Sequence, residues 1–157
     1  VARATIERFY DAFARLDAET MAACYAPDAS FDDEAFSLRG RQQIGAMWRM
    51  LCETTRQRAL ADWKLQVSRI TEHGAHWEAH YRFTATGRLV HNIIDAGFEF
   101  DGDGLILRHV DRFDFWRWSR QALGAPGLLL GWMPWFRSKV RATAAARLQA
   151  DIAKRGP

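Results

Sequence analysis

From residue 61 to residue 116 the sequence alternates apolar and polar residues in short runs, and this regularity limits the fold more than any other feature. Side chains on an extended chain point to opposite faces in turn. In "ADWKLQVSRI", Trp63, Leu65 and Val67 share one side. In "AHWEAHYRFTAT", Trp77, Ala79, Tyr81 and Phe83 form one face, with His76, Glu78, His80, Arg82 and Thr84 on the other. In "RLVHNIIDAGFEF", Val90, Asn92, Ile94, Ala96, Phe98 and Phe100 fall together. "EHG", Gly87 and "DGDG" supply the intervening turns, so the segments read as antiparallel strands joined by hairpins. The last segment, "GLILRHVDRFDFWRW", is unusual. Read as a strand, it sets Leu105, Leu107, His109, Asp111, Phe113 and Phe115 on one face. An imidazole and a carboxylate then lie two residues apart in an otherwise apolar row. The opposite face, Ile106 to Trp116, is mixed and suits solvent or a partner.

Upstream the period changes to that of helices. Ile6, Phe9, Tyr10, Phe13 and Leu16 mark a first helix. Asp17 is placed to cap a short second one through Met21, Cys24 and Tyr25. A short strand follows Pro27, with Asp33 on the same side as Phe31. "RGRQQIGAMWRMLCETT" predicts a third helix with an apolar stripe of Ile44, Met47, Trp48, Leu51 and Cys52. Helices first and strands later predict an α+β fold, with N-terminal helices packed on a strongly curved, mostly antiparallel sheet. Residues 1–116 make one domain. Residues 117–157 read as a helical C-terminal extension packed on that domain: a helical start, a break at Gly124-Ala125-Pro126, an apolar Trp-rich stretch, and an Ala-rich helix with Val140, Ala144, Leu148 and Ile152 four apart.

A net charge of +3 conceals an asymmetry: 117–157 carries a net +7 and 1–116 a net −4. The body is mildly acidic, so nucleic acid is not an expected partner. Cys24 and Cys52 both fall in phase with apolar helical residues and read as buried, inert thiols. No secretory leader or membrane-length apolar run is visible, and a cytoplasmic location is the expectation. His76 and His80 are four apart, but on a strand this separates them by about 13 Å. With His73 and His91 they still give no metal-ligand spacing, so no metal or cofactor is expected. No phosphate-binding Gly loop, G-x-S-x-G elbow or Cys nucleophile motif occurs.

Three stretches together, "FYDAFARLDAETMAACYAPDASFDD", "LRGRQQIGAMWRML" and "FEFDGDGLILRHVDRF", resemble the nuclear transport factor 2-like superfamily over residues 6–115. The similarity is greatest to its SnoaL-like polyketide cyclase and ketosteroid isomerase branches. The resemblance implies a cystatin-like cone, in which a bent sheet wraps a long helix around a deep pocket. It also implies a homodimer formed through the outer sheet face. The isomerase base maps to Asp33. The isomerase oxyanion donors, a Tyr and a protonated Asp, map to Phe9 and Ala96, so steroid-type enolate stabilisation is not expected here. Tyr10 and Asp95 are adjacent in sequence but point elsewhere. The cyclase-like branch uses a late-strand aspartate, sometimes with a histidine, and His109 and Asp111 could supply that pair.

The expected catalytic set is therefore Asp33, His109 and Asp111. The expected substrate-binding set is Tyr10, Trp48, Trp77, Tyr81, Asn92, Phe98 and Phe113. A carboxyl in an apolar cavity moves toward a pKa useful for proton transfer. Asn92 could hold a carbonyl. Each polar residue also has a bland reading: Asp33 as a turn cap, His109 and Asp111 as a buried structural pair, Asn92 as a satisfied core amide. The expected partner is a small hydrophobic molecule. Two functions compete: a cofactor-free cyclase, dehydratase or isomerase acting on an apolar carbonyl compound, and a binding module without turnover. For the extension, a lid over the pocket ranks first, dimer contacts second, and contact with an anionic membrane surface last.

Overall fold

The computed structural model describes residues 1–156. The elements in order are α1 (Ala2–Ala14), α2 (Ala18–Ala23), β1 (Tyr25–Asp32), β2 (Ser37–Arg39), α3 (Arg41–Arg58), β3 (Lys64–Ser68), β4 (Gly74–Phe83), β5 (Arg88–Phe100), β6 (Ile106–Arg112), α4 (Phe115–Leu123), α5 (Ala125–Leu130) and α6 (Pro134–Arg155), with a single 3-10 turn at Leu60–Asp62. They form the expected α+β arrangement: helices on one face of a curved six-stranded sheet of order β2-β1-β6-β5-β4-β3. All strand pairs are antiparallel except β1 with β6, which is parallel. That parallel pairing brings the N-terminal strand against the last one. It sets Phe31 opposite His109.

Local chemistry accounts for the helix boundaries. Asp17 caps α2 by accepting from the Thr20 amide at 3.0 Å, satisfying one of the free N–H groups of a helix start. Asp114 does the same for α4 through Arg117 N. The sequence reading carried a strand through Phe115; the structure ends β6 at Arg112 and starts a helix at Phe115. Tyr25, read as helical, is the first residue of β1. The short β2 was not foreseen. Leu51, read as part of the buried stripe of α3, is 38% exposed.

Inside β6 the alternation is broken once. Phe100 pairs with Ile106 and Glu99 with Arg108, a register shift that leaves Leu107 as an extra residue. An extra residue reverses the facing of every side chain beyond it. Ile106 is buried, Leu107 and Arg108 are exposed, and His109 and Asp111 are buried. The expectation that Leu107 shares the inward face with His109 is corrected by this bulge.

The main core lies between α1, α3 and the concave face of the sheet, with Phe9 fully buried among Tyr25, Trp48, Phe98 and His109. The extension joins it directly. Leu148 of α6 is 1% exposed and belongs to the main cluster, with Ala144 and Ile152 packed beside it. Arg49 of α3 donates to the Gly156 carbonyl at 2.6 Å. A second cluster of Val90, Phe115, Trp118, Ala122 and Phe136 fastens α4 and α6 to the start of β5. Truncating a fully buried Leu costs about 2–5 kcal/mol, so α6 is integral to the fold. Cys24 and Cys52 are both buried free thiols.

Candidate functional site

A cavity of about 610 Å³ opens between α3, the concave sheet face and the C-terminal helices. Its wall is largely aromatic and aliphatic: Phe13, Trp48, Trp63, Trp77, Tyr81 and Phe113 on the core side, and Trp118, Leu123, Pro126, Phe136 and Val140 on the extension side. Asp33, Asn92 and Asp111, from separate elements, line it on the core side, and Lys139, Arg147 and the threonines Thr55, Thr86 and Thr143 add further polar groups. A larger, shallower depression lies over α2 and α3, lined by charged residues such as Arg41, Arg49, Glu53 and Arg56. None of the candidate groups belongs to it.

Asp33 follows the last residue of β1, where the chain reverses toward β2. Its Oδ1 accepts from the Ala35 and Phe36 amides at 2.7 and 2.6 Å. The turn-cap reading therefore holds, and the same carboxylate also lines the cavity. Among the described residues no hydrogen bond reaches Oδ2. Arg141 of α6 donates to the Asp33 carbonyl oxygen at 2.9 Å, tying the turn to the extension. Burial raises the Asp33 carboxyl to about 7; the charge of Asp111 pushes the same way, and the two amide donors and Arg141 oppose it only in part. A group near neutrality both takes and returns protons readily.

Asp111 and His109 are in contact. His109 Nε2 and Asp111 Oδ1 are 2.9 Å apart. The other ring nitrogen, Nδ1, lies 2.7 Å from Tyr25 Oη, and Trp48 Nε1 donates to that hydroxyl at 3.1 Å. The directions follow from the donor inventory. An indole N–H only donates, so Tyr25 Oη accepts it and, with no other acceptor in reach among the described residues, donates its own O–H as a hydrogen bond to Nδ1. Nδ1 is then an acceptor, the ring is neutral, and its single proton sits on Nε2 and points to the Asp111 carboxylate. All four groups are satisfied in one chain, from Trp48 through Tyr25 and His109 to Asp111. His109 is fully buried. The rings of Phe98, Phe31 and Phe9 pack around it at 4.3, 4.9 and 5.6 Å between centroids.

Of the residues singled out in the sequence, Asp33, Asp111, Trp48, Trp77, Tyr81, Asn92 and Phe113 are brought together on the cavity wall. His109 is not on the wall; it stands behind Asp111. Tyr10 and Phe98 are not on the wall either. Both are packed in the aromatic core beneath it, where their rings lie 6.3 Å apart. Tyr10 Oη is buried without a partner, and burial together with the Asp111 and Tyr25 charges raises its pKa well above the ordinary phenol value. Asn92 is 7% exposed, and its side chain makes no hydrogen bond among the described residues. The indole N–H of Trp77, another wall residue, also lacks a partner. Of these, the Asn92 amide is the donor open to a ligand; the Trp77 N–H and the Tyr10 hydroxyl are closed off beneath the wall surface. Tyr81 Oη accepts from Trp118 Nε1 at 2.8 Å, joining β4 to the extension across the wall.

Sequence reasoning missed Tyr25 and named no wall residue in the extension, although its first-ranked reading set residues 124–136 over the pocket, where Pro126 and Phe136 line the cavity. Pro27 was the available signal: a proline disfavours helix in the residue before it, here Ala26, which puts the helix end at or before Tyr25. No periodicity in the extension distinguishes cavity lining from ordinary packing. Ala96, where the isomerase resemblance expects an aspartic acid, pairs across the strands with Asp111. The carboxyl is thus present one strand over. Phe9 offers no donor, and Asp95 faces outward to His76 at 2.8 Å. No cluster of metal-ligating side chains is found among the described residues, and no helix there is long and apolar enough to cross a membrane.

This architecture, a bent sheet closed by helices around an apolar cavity, is that of the cystatin-like, nuclear transport factor 2-like cones. Within that class the chain belongs to the SnoaL-like domain family, which matches residues 6–119. No curated protein matches the sequence. Among solved structures, a polyketide cyclase candidate from Silicibacter sp. tm1040 is similar with a TM-score of 0.59 at 20% identity, covering 77% of this chain and 94% of that one. An LEH-like epoxide hydrolase from M. tuberculosis gives 0.59 at 20% identity, covering 82% and 92%. A protein with a cystatin-like fold from Silicibacter pomeroyi DSS-3 gives 0.57 at 15% identity, covering 96% of this chain and 90% of its own. At these identities the likeness establishes the shared fold.

Proposed function

We propose that the protein is a cofactor-free acid/base enzyme of the cyclase, dehydratase or isomerase type acting on an apolar, carbonyl-containing small molecule. One observation carries the reading: two carboxyl groups with different surroundings share a single apolar cavity. Such pairs divide acid and base roles between them. Asp33, with its carboxyl near 7, exchanges a proton with carbon or oxygen of the bound molecule through its open Oδ2. Asp111 is held in one rotamer by His109, and His109 in one tautomer by Tyr25, so Asp111 presents a fixed carboxylate to the same space. His109 is in this reading a positioning residue. Asn92 offers N–H groups to a carbonyl oxygen, and the aromatic wall excludes water from the reacting atoms.

A second reading, binding without turnover, draws on Phe9 and Ala96, which leave the isomerase oxyanion positions without donors. One experiment separates the two. A panel of cyclisable polyketide mimics is titrated into wild type, Asp33→Asn and Asp111→Asn, following quenching of the wall tryptophans for binding and product mass for turnover. Binding by all three with turnover lost by about 10²-fold or more in both variants supports the enzyme. Binding with no turnover in wild type supports the binding module. Turnover undiminished in both variants excludes the assigned roles.

A further inference from the structure

The α5–α6 corner of the extension is built in an unusual way. Helix α5 docks on α4 through glycines. Gly127 and Gly131 are both buried, and a β-carbon on either would run into Ser119. The bulky residues of the same segment point away from the protein: Leu128 is 51% exposed, Leu129 67%, Trp132 70% and Trp135 51%. Pro126 and Pro134 are exposed beside them. The polar edge of Trp132 is turned inward, its Nε1 donating to the Leu129 carbonyl at 3.1 Å, so the indole presents hydrocarbon outward. A soluble monomer seldom gathers large side chains at one protruding corner unless something covers them.

The charge around the corner selects the cover. From residue 115 to residue 150 the chain has six Lys or Arg residues and no Asp or Glu. Arg120 lies over the Trp116 ring at 4.5 Å, and Arg137 is exposed beside Phe115, where Glu34 is the one acid touching it among the described residues. Lys139 is exposed two residues further along α6. An isologous contact between two copies would bring two basic rims together. A bilayer carrying anionic headgroups accepts both features at once: the aromatic and aliphatic tip enters the interface, and the cations meet the headgroups.

We propose that the α5–α6 corner is a docking surface for an anionic lipid bilayer, and that the cavity exchanges its apolar ligand with that bilayer. The second clause rests on the reading of the cavity as a ligand site. It follows from position: Pro126, Phe136, Lys139 and Val140 of this same segment form one wall of the cavity. A water-insoluble substrate then passes from lipid to site without crossing bulk water.

The test is sedimentation with vesicles of phosphatidylcholine alone and of equal parts phosphatidylcholine and phosphatidylglycerol, at low and high salt. Wild type is expected to bind the anionic vesicles, less so at high salt as screening grows. The double variant Leu129→Ser with Trp132→Ser, both at exposed positions, is expected to bind them about tenfold more weakly or worse. No binding by wild type, or equal binding by the variant, overturns the proposal. So does a dimer in vesicle-free buffer that the variant converts to monomer, because the corner would then belong to a second copy. The cavity is read separately, by titrating anilinonaphthalene sulfonate without vesicles. If the probe binds and vesicles do not, only the lipid surface fails. If vesicles bind and the probe does not, only the ligand cavity fails, and exchange with it.

Discussion

The two faces of the same sheet carry the same pair of functional groups in opposite settings. On the concave face, His109 contacts Asp111 inside an aromatic cage, and both are nearly inaccessible to water. On the convex face, His91 contacts Glu78 at 2.7 Å and His76 contacts Asp95 at 2.8 Å, the carboxylate side chains being 32% and 78% exposed. The distances are alike. The consequences differ because the partners lost to water differ. Breaking the inner pair strands a buried carboxylate and a buried phenol, whereas breaking an outer pair lets water replace what was lost. A histidine in contact with a carboxylate on a sheet has no fixed meaning until the face is known.

The largest expected effect tests that contrast. His109→Ala should lower stability by about 3–5 kcal/mol, through the void left among Phe9, Phe31 and Phe98 and the orphaned Asp111 and Tyr25 groups. His76→Ala should cost about 1 kcal/mol or less. Urea unfolding of both variants at neutral pH measures the gap; similar losses would break the comparison.

Asp33→Asn sharpens it through pH. The folded carboxyl, near 7, holds its proton more tightly than the unfolded chain, near 4. The stabilisation from the protonated form is complete below the unfolded value and is lost as pH rises through 7. The variant cannot ionise, and its amide oxygen still accepts from Ala35 and Phe36. Its stability should therefore gain on wild type from pH 4 to 8 by up to about 3 kcal/mol, allowing for partial solvent access. Unfolding midpoints across that range give the curve, and a flat difference would sink the assignment.

Tyr25→Phe removes the proton donated to Nδ1 and leaves the Trp48 N–H unpaired. It should cost about 1–3 kcal/mol, with near-ultraviolet dichroism reporting the loosened Trp48. The smallest effect is expected on the convex face. His80 stacks on His91 at 4.0 Å between ring centroids, and its pKa is lowered by burial, then by the charges of His91 and Lys64. The unfolded chain takes up that proton first, so wild type should lose a little stability as pH falls below about 6.5, the unfolded value. His80→Gln should remove this slope and otherwise stay within about 0.5 kcal/mol of wild type.

Local patterns along the chain were enough to specify the class of fold and the main actors. Period-two and helical spacing are local properties, so the three helices, the four late strands and the inward faces bearing Asn92, His109 and Asp111 were legible. What failed to show depended on distant contacts. The bulge at Leu107 is fixed by pairing with β5, and the parallel β1–β6 pairing is what puts Tyr25 within reach of His109. Tyr10 and Phe98 were given to the cavity because an apolar face looks the same whether it meets a ligand or a core. Only the packing of α1 against the sheet distinguished them. The tertiary structure also decided that Trp132 and Leu129 face outward while Leu148 is buried. Hydrophobicity states that a side chain gains by leaving water; which surface receives it is decided by what the rest of the chain places there.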